Sequence, residues 1–151
     1  MEVDRESMRR SGEEHNPGPA TVPRQAASVI VLRGGDQELE VLLVKRNPRS
    51  RFMGGAWVFP GGAVDAGEGE GDDAHRAAAV REVAEESGLE LDGPDVLVKF
   101  SRWITPEEVQ IRFDTHFFLA ACPPEGQARP DGQETVAARW FEPARALEAH
   151  D

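Results

Sequence analysis

The apolar residues of this chain fall into patterns that predict strands, then one long helix, then more strands and a short closing helix. Ala27 to Arg33 and Leu39 to Lys45 are apolar and β-branched runs, and Gly34-Gly35-Asp36 between them predicts a hairpin turn. Asn47 to Gly55, rich in Arg, Pro and Gly, reads as a loop that leads to a short strand at Ala56 to Phe59 and a glycine turn at Gly61-Gly62. Asp72 or Asp73 can cap the helix that follows, and Gly88 can end it in the left-handed conformation, which gives a helix of about fifteen residues. Further strands are expected at Val96 to Trp103, Val109 to Ala121 and Thr135 to Phe141, with a helix starting after Pro143. Residues 1–24 mix charge with Pro17, Gly18, Pro19 and Pro23 and read as a flexible tail, leaving one domain over 25–151. This order implies the α/β class, a mixed sheet with helices on its faces. The last helix reaches Asp151 after about two turns, so we expect either a truncated element there or a partner subunit, as in a homodimer, over that face.

Charge in the long helix is not scattered. At about 100° per residue, Glu85 and Glu86 lie within roughly one sixth of a turn either side of Glu82, while Val80, Val83 and Ala84 point the other way. One face is expected to pack and the other to be acidic. Like charges at this spacing destabilise a helix by about a few tenths of a kcal/mol, and anions near its C-terminal end oppose the macrodipole. A divalent cation would reverse that penalty and make the triplet a metal site for a phosphate-bearing ligand. The plainer reading is a solvated acidic face.

Two further observations favour the metal site. The stretch Arg81-Glu82-Val83-Ala84-Glu85-Glu86-Ser87-Gly88-Leu89, downstream of Pro60-Gly61-Gly62, resembles the signature of the Nudix hydrolases, G-x5-E-x7-R-E-U-x-E-E-x-G-U with U a bulky apolar residue. Its second half matches without a gap. In the first half, Gly62 and Glu68 satisfy G-x5-E but leave twelve residues rather than seven before Arg81. Counting back from Arg81 lands instead on Gly67 and Asp73, so Glu68 and Asp73 are alternative first carboxylates, and an insertion looped out over Gly67 to Gly71 accounts for the extra length. The segments Arg46 to Asp65, Trp103 to Pro106 and Arg112 to Phe118 are similar to the branch of that family containing the mammalian peroxisomal coenzyme A diphosphatase and its bacterial relatives.

Composition sets bounds on this reading. With 151 residues, 39% apolar and 30% charged, the chain suits one domain with its own core. The formal net charge is −11, and residues 65–95 hold eleven Asp or Glu against Arg76 and Arg81. Such a surface argues against a duplex nucleic-acid partner and requires metal ions wherever an anionic substrate is to bind. No GK[ST] marks a P-loop. Cys122 cannot form an internal disulfide and reads as a small core residue. The charged N-terminus and the short apolar runs predict no membrane association, and with Ala149-His150-Asp151 in place of a peroxisomal tripeptide we expect a cytoplasmic protein.

The resemblance implies a Nudix-type α/β/α sandwich and a hydrolase that cleaves the pyrophosphate linkage of a nucleoside diphosphate derivative, coenzyme A or an acyl-CoA among them. It implies Mg²⁺ or Mn²⁺ held by Glu82, Glu85 and Glu86, with Arg81 holding a box carboxylate rather than touching substrate. The base that orients the attacking water would be a box glutamate or one on a later loop, for which Glu134 is the candidate. Gly61 and Gly62 would let backbone approach the phosphates and metal. Arg46, Arg49 and Arg51 are candidates for substrate phosphates, or simply a solvated basic loop. Strand alternation puts Arg112, Asp114 and His116 on one face, as pocket lining or as solvated surface, opposite Val109, Ile111, Phe113, Thr115 and Phe117. Trp57, Trp103 and Trp140 are either adenine-stacking residues or core. The alternative function is a non-catalytic Nudix module that binds a nucleotide metabolite for regulation, against which the intact glutamate triplet counts.

Overall fold

The computed structural model describes residues 15–35 and 38–150. Among these are β1 (Arg24–Arg33), β2 (Glu40–Arg46), β3 (Trp57–Val58), β4 (Gly61–Ala63), α1 (Gly71–Ser87), β5 (Val98–Ile104), β6 (Phe113–Ala121), β7 (Thr135–Phe141) and α2 (Pro143–His150), with single 3₁₀ turns at Ala66–Glu68 and Pro94–Val96. The strands form one sheet in the order β3-β2-β1-β6-β5, with β4 also on β1 and β7 on β2. Only β1 and β6 pair in parallel, from Arg24 opposite Phe113 to Leu32 opposite Ala121, so the sheet is mixed as expected.

Alternation along β1 builds two cores. Val29 and Val31 face α1, joining Leu42, Ala78, Ala79, Val83 and Phe118, whereas Ile30 and Leu32 face the side where α2 packs through Ala146 on Val41 and Leu43. Each fully buried Val, Leu or Phe of these clusters contributes about 1.5–3 kcal/mol. Two helices on opposite faces of one sheet make the α/β/α sandwich.

Several expectations need correction. Helix α1 starts at Gly71 with Glu70 in the cap position, so Asp72 and Asp73 lie in its first turn, where Asp72 pairs with Arg76 at 2.6 Å. Gly88 does end it, with φ 73° and its N–H on the carbonyl of Ala84. The packed and acidic faces are not opposed: Glu82 and Glu86 are buried in the same row as Ala78, Ala79 and Val83, and Val80 and Ala84 are only half-buried. Gly61-Gly62 is a strand, not a turn, because it pairs with Ala27 and Ser28 of β1. Strand β6 starts at Phe113, and Val109 makes only an isolated bridge to His15. That bridge belongs to a seam in which Asn16 N–H donates to Glu108 and Thr21 Oγ1 to Gln110, so the end of the segment read as a flexible tail is tied down at these points, while residues 1–14 of it lie outside the described residues. β1 and β2 pair antiparallel as a hairpin requires, while Asp36 of the expected turn lies outside the described residues.

Candidate active site

The site forms where the lower edge of β1 passes from β2 to β4. There β4 runs beside α1, and the loop before β7 meets the last turn of α1 where the Thr135 hydroxyl donates to the Glu86 carbonyl. Arg81 organises the α1 side. Its Nε and one terminal nitrogen donate to Glu68 at 3.2 and 3.0 Å, its other terminal nitrogen to Glu82 at 2.8 Å and Glu85 at 3.1 Å, and a further bond reaches the carbonyl of Ala63 at 2.9 Å. Asp65 lies 3.3 Å from Nε. A guanidinium so saturated holds carboxylates and has no donor left for a substrate. Its proton is held more tightly than usual, first by the Glu68 hydrogen bond and then by Glu82.

Between Glu68 and Asp73, geometry selects Glu68. It accepts from Arg81 with both oxygens and from the Asp65 N–H at 2.8 Å. Burial works against its charge, but the bonds from Arg81 and Asp65 keep it below the ordinary carboxylate range. The extra residues follow the 3₁₀ turn, where Gly69 and Gly71 both take positive φ on the way into α1.

Glu82, Glu86 and Glu134 bring carboxylate oxygens within 4.8 Å of one another. Burial pushes the Glu82 carboxyl up to about 7, with Arg81 opposing and Glu85 and Glu134 adding to the rise. Burial pushes Glu86 up to about 8; the Gly61 N–H, donating at 3.1 Å, and the charge of Arg46 oppose, while Glu82 and Glu134 reinforce. Three converging carboxylates, two of them buried, are a poor arrangement for a protein alone. They are a good one for a hard divalent ion, which takes oxygen ligands and restores both buried groups to the ionised form. The donor set therefore fits a hard divalent ion.

Glu85 does not join this group; it is exposed and bonded to Arg81. The glycines act differently from the expectation. A Cβ on Gly62 would land on the Glu82 carboxylate and one on Gly61 on the carbonyl of Ala27, so both serve close packing of β4 against α1 and β1. Arg46 donates from Nε to the carbonyl of Phe52 at 2.9 Å and so shapes its loop, while its charge reaches Glu86. Arg49 and Arg51 are exposed on that loop. Arg112 donates to the carbonyls of Thr105 and Thr21. Trp57 packs edge-on against Phe141, Trp140 lies under Arg33 beside the first core, and Trp103 is exposed. Cys122 packs at the edge of the first core, and burial raises its thiol.

The polar face of β6 is not solvated. Asp114 is buried and paired with Arg102 at 2.6 Å, and His116 stacks on His75 of α1 with ring centroids 3.6 Å apart. His75, His116 and Arg102 line a separate cavity of about 370 Å³ beneath the start of α1.

The NUDIX domain family model matches residues 22–151. The chain belongs to the Nudix hydrolase family. The Nudix box is thus the stretch from Gly62 to Leu89, with the insertion after Glu68. Among its relatives, the chain is 35% identical over 121 residues to "Putative 8-oxo-dGTP diphosphatase" of Bacillus subtilis, covering 80% of this chain and 68% of that protein. It is 28% identical over 159 residues to "Putative nudix hydrolase 7" of Caenorhabditis elegans, covering 83% of this chain but spanning only 53% of the relative. The crystal structure of a NUDIX hydrolase from Alicyclobacillus acidocaldarius superposes with a TM-score of 0.71 at 30% identity, covering 84% of this chain and 82% of that one. No helix among the described residues is long and apolar enough to cross a membrane.

What sequence reasoning missed is the fastening of the Glu134 loop by Asp131 and Thr135, and the burial of His75 and His116. Asp131-Gly132 before the strand was a readable turn signal for the first. Nothing local signalled the second.

Proposed function

We propose that the chain is a divalent-metal-dependent hydrolase that cleaves the phosphoanhydride bond of a nucleoside diphosphate derivative. The observation that carries this reading is the convergence of Glu82, Glu86 and Glu134, two of them buried, on one point. Glu82 and Glu86 are the principal ligands of Mg²⁺ or Mn²⁺, and Glu134 completes the set. Bound there, the ion would neutralise phosphate charge and help ionise a water. Glu134, the exposed member, is the group placed to accept the proton of the attacking water. Arg81 positions Glu82 and Glu68, and Arg46 contributes positive charge on the loop side. A phosphoanhydride needs little else, because its hydrolysis is governed by positioning and charge stabilisation.

Within this class we place coenzyme A and its acyl derivatives first, on the similarity of Arg46 to Asp65 and of Arg112 to Phe118 to the coenzyme A diphosphatase branch. The relative's name makes an oxidised nucleoside triphosphate the next compound. Incubation with Mg²⁺ or Mn²⁺ and a panel of coenzyme A, 8-oxo-dGTP, ADP-ribose, NADH and dinucleoside polyphosphates, with products resolved by chromatography, tests the assignment. We expect metal-dependent release of a nucleoside monophosphate, 3′-phosphorylated in the case of coenzyme A, or of pyrophosphate in the case of 8-oxo-dGTP. Absence of turnover on every compound with either metal would refute the hydrolase reading, and turnover of another compound alone would refute the coenzyme A choice.

A further inference from the structure

Helix periodicity brings Glu82 and Glu86 together, but Glu134 stands far along the chain on an exposed loop, where a glutamate side chain ordinarily samples many positions. Its backbone is nonetheless fastened on both sides. Asp131 Oδ1 accepts from the N–H of Gln133 at 2.8 Å and of Thr135 at 2.9 Å. The carbonyl of Glu134 accepts from the Asn47 N–H at 2.8 Å, and Asn47 Nδ2 donates to the carbonyl of Gln133 at 2.7 Å. Thr135 is 1% exposed, and its hydroxyl donates to the backbone carbonyl of Glu86 at 3.0 Å. The register between β2 and β7 shifts here, with Lys45 opposite Ala137 but Arg46 opposite Thr135. The extra residue is Val136, and a bulge of this kind re-aims neighbouring side chains.

We propose that Thr135 and Asp131 are positioning residues that latch the Glu134 loop to the last turn of α1 and thereby set the third carboxylate of the metal centre. The inference rests on the metal reading above. The Thr135 hydroxyl ties the loop to the very residue whose side chain is a principal ligand, so the spacing between Glu86 and Glu134 is fixed through one backbone carbonyl. Asp131 fixes the direction in which Glu134 leaves the chain. Outer-shell partners of this kind typically govern metal affinity by 10- to 100-fold.

The test is Mn²⁺ binding by the full chain, followed by electron paramagnetic resonance, with circular dichroism to verify folding. Asp131→Ala and Thr135→Val are each expected to weaken Mn²⁺ binding about tenfold. Asp131→Asn, which keeps an acceptor oxygen, should recover most of that loss. Combining Thr135→Val with Glu134→Gln should weaken binding no more than Glu134→Gln alone, because the latch then has no carboxylate to place. Wild-type affinity in folded Asp131→Ala, or additive losses in the double variant, overturns the proposal. If Thr135→Val does not fold, the exposed Asp131 carries the test, with Asp131→Ala taking its place in the double variant with Glu134→Gln. Wild-type protein that binds no Mn²⁺ overturns the metal reading and the latch together; binding abolished by Glu86→Gln but untouched by Asp131→Ala overturns the latch alone.

Discussion

Arg81 and Glu68, thirteen residues apart, meet side-on, with two guanidinium nitrogens on the two carboxylate oxygens at 3.2 and 3.0 Å. This clamp closes the first half of the box onto the second, so residues inserted between them form a loop without moving the helix. Loop length costs little free energy once the ends are fixed, because closure entropy grows only with its logarithm.

A lysine at 81 could not reproduce the clamp, since an ammonium offers a point charge in place of a five-donor fork. Arg81→Lys should lower turnover about 100-fold and stability by about 2 kcal/mol. Steady-state kinetics and urea unfolding check this, and a variant as active as wild type would show that Arg81 positions nothing of consequence.

Metal-free protein should lose stability as pH rises. Glu82 and Glu86 have carboxyls raised to about 7 and about 8, so the folded state binds protons more tightly than the unfolded state. Their contribution is fully present below the ordinary value of 4.5 and is lost as pH climbs through 7 to 8. Melting in chelator should show Tm falling by on the order of 5 °C from pH 6 to pH 9, and saturating Mg²⁺ should remove the fall. In Glu86→Gln the metal-free decline should shrink while turnover drops at least about 100-fold. An unchanged decline would mean these carboxyls are not the source.

Gly62→Ala isolates the close approach of β4 to α1. Its added methyl would meet the Glu82 carboxylate, which Arg81 holds in place. We expect Mg²⁺ affinity, measured by calorimetry, to drop about tenfold with a stability loss of only about 1 kcal/mol. A large unfolding effect with normal affinity in the folded fraction would place the role of Gly62 in the sheet instead.

His116 predicts an acid limit of its own. Burial, then the neighbouring His75 and Lys99, push its imidazole down to about 4 against the pull of Asp114, and its Nδ1 is the unpartnered buried side-chain atom among the described residues. A base whose folded value is depressed contributes stability above its unfolded value of 6.5 that is lost as pH falls toward 4. His116→Phe, which keeps the stack on His75, should therefore lose less Tm than wild type between pH 6.5 and 4. Parallel melting curves for the two proteins would dismiss this account.

The alternating runs of β1 and β7 and the Gly88 stop were legible because strand pleat and helix termination are local consequences of residue type. The start of β6 was not, since Val109 to Arg112 carry a strand-like pattern but the Val109 N–H turns back to the Pro106 carbonyl and the Gln110 carbonyl accepts from Thr21 of the N-terminal segment.

The sequence by itself determined the box: 3.6 residues per turn place Glu82 and Glu86 one above the other, and Arg81 beside them, whatever surrounds the helix. Only the tertiary structure decided that Glu82 and Glu86 would be buried, that Glu68 rather than Asp73 would meet Arg81, that Glu85 would turn to Arg81 and that Glu134 would join the Glu82 and Glu86 carboxylates in its place. Burial of the carboxylate cluster and its membership depend on which distant segments pack against the helix, and packing between residues far apart in the chain leaves no period for a sequence to display.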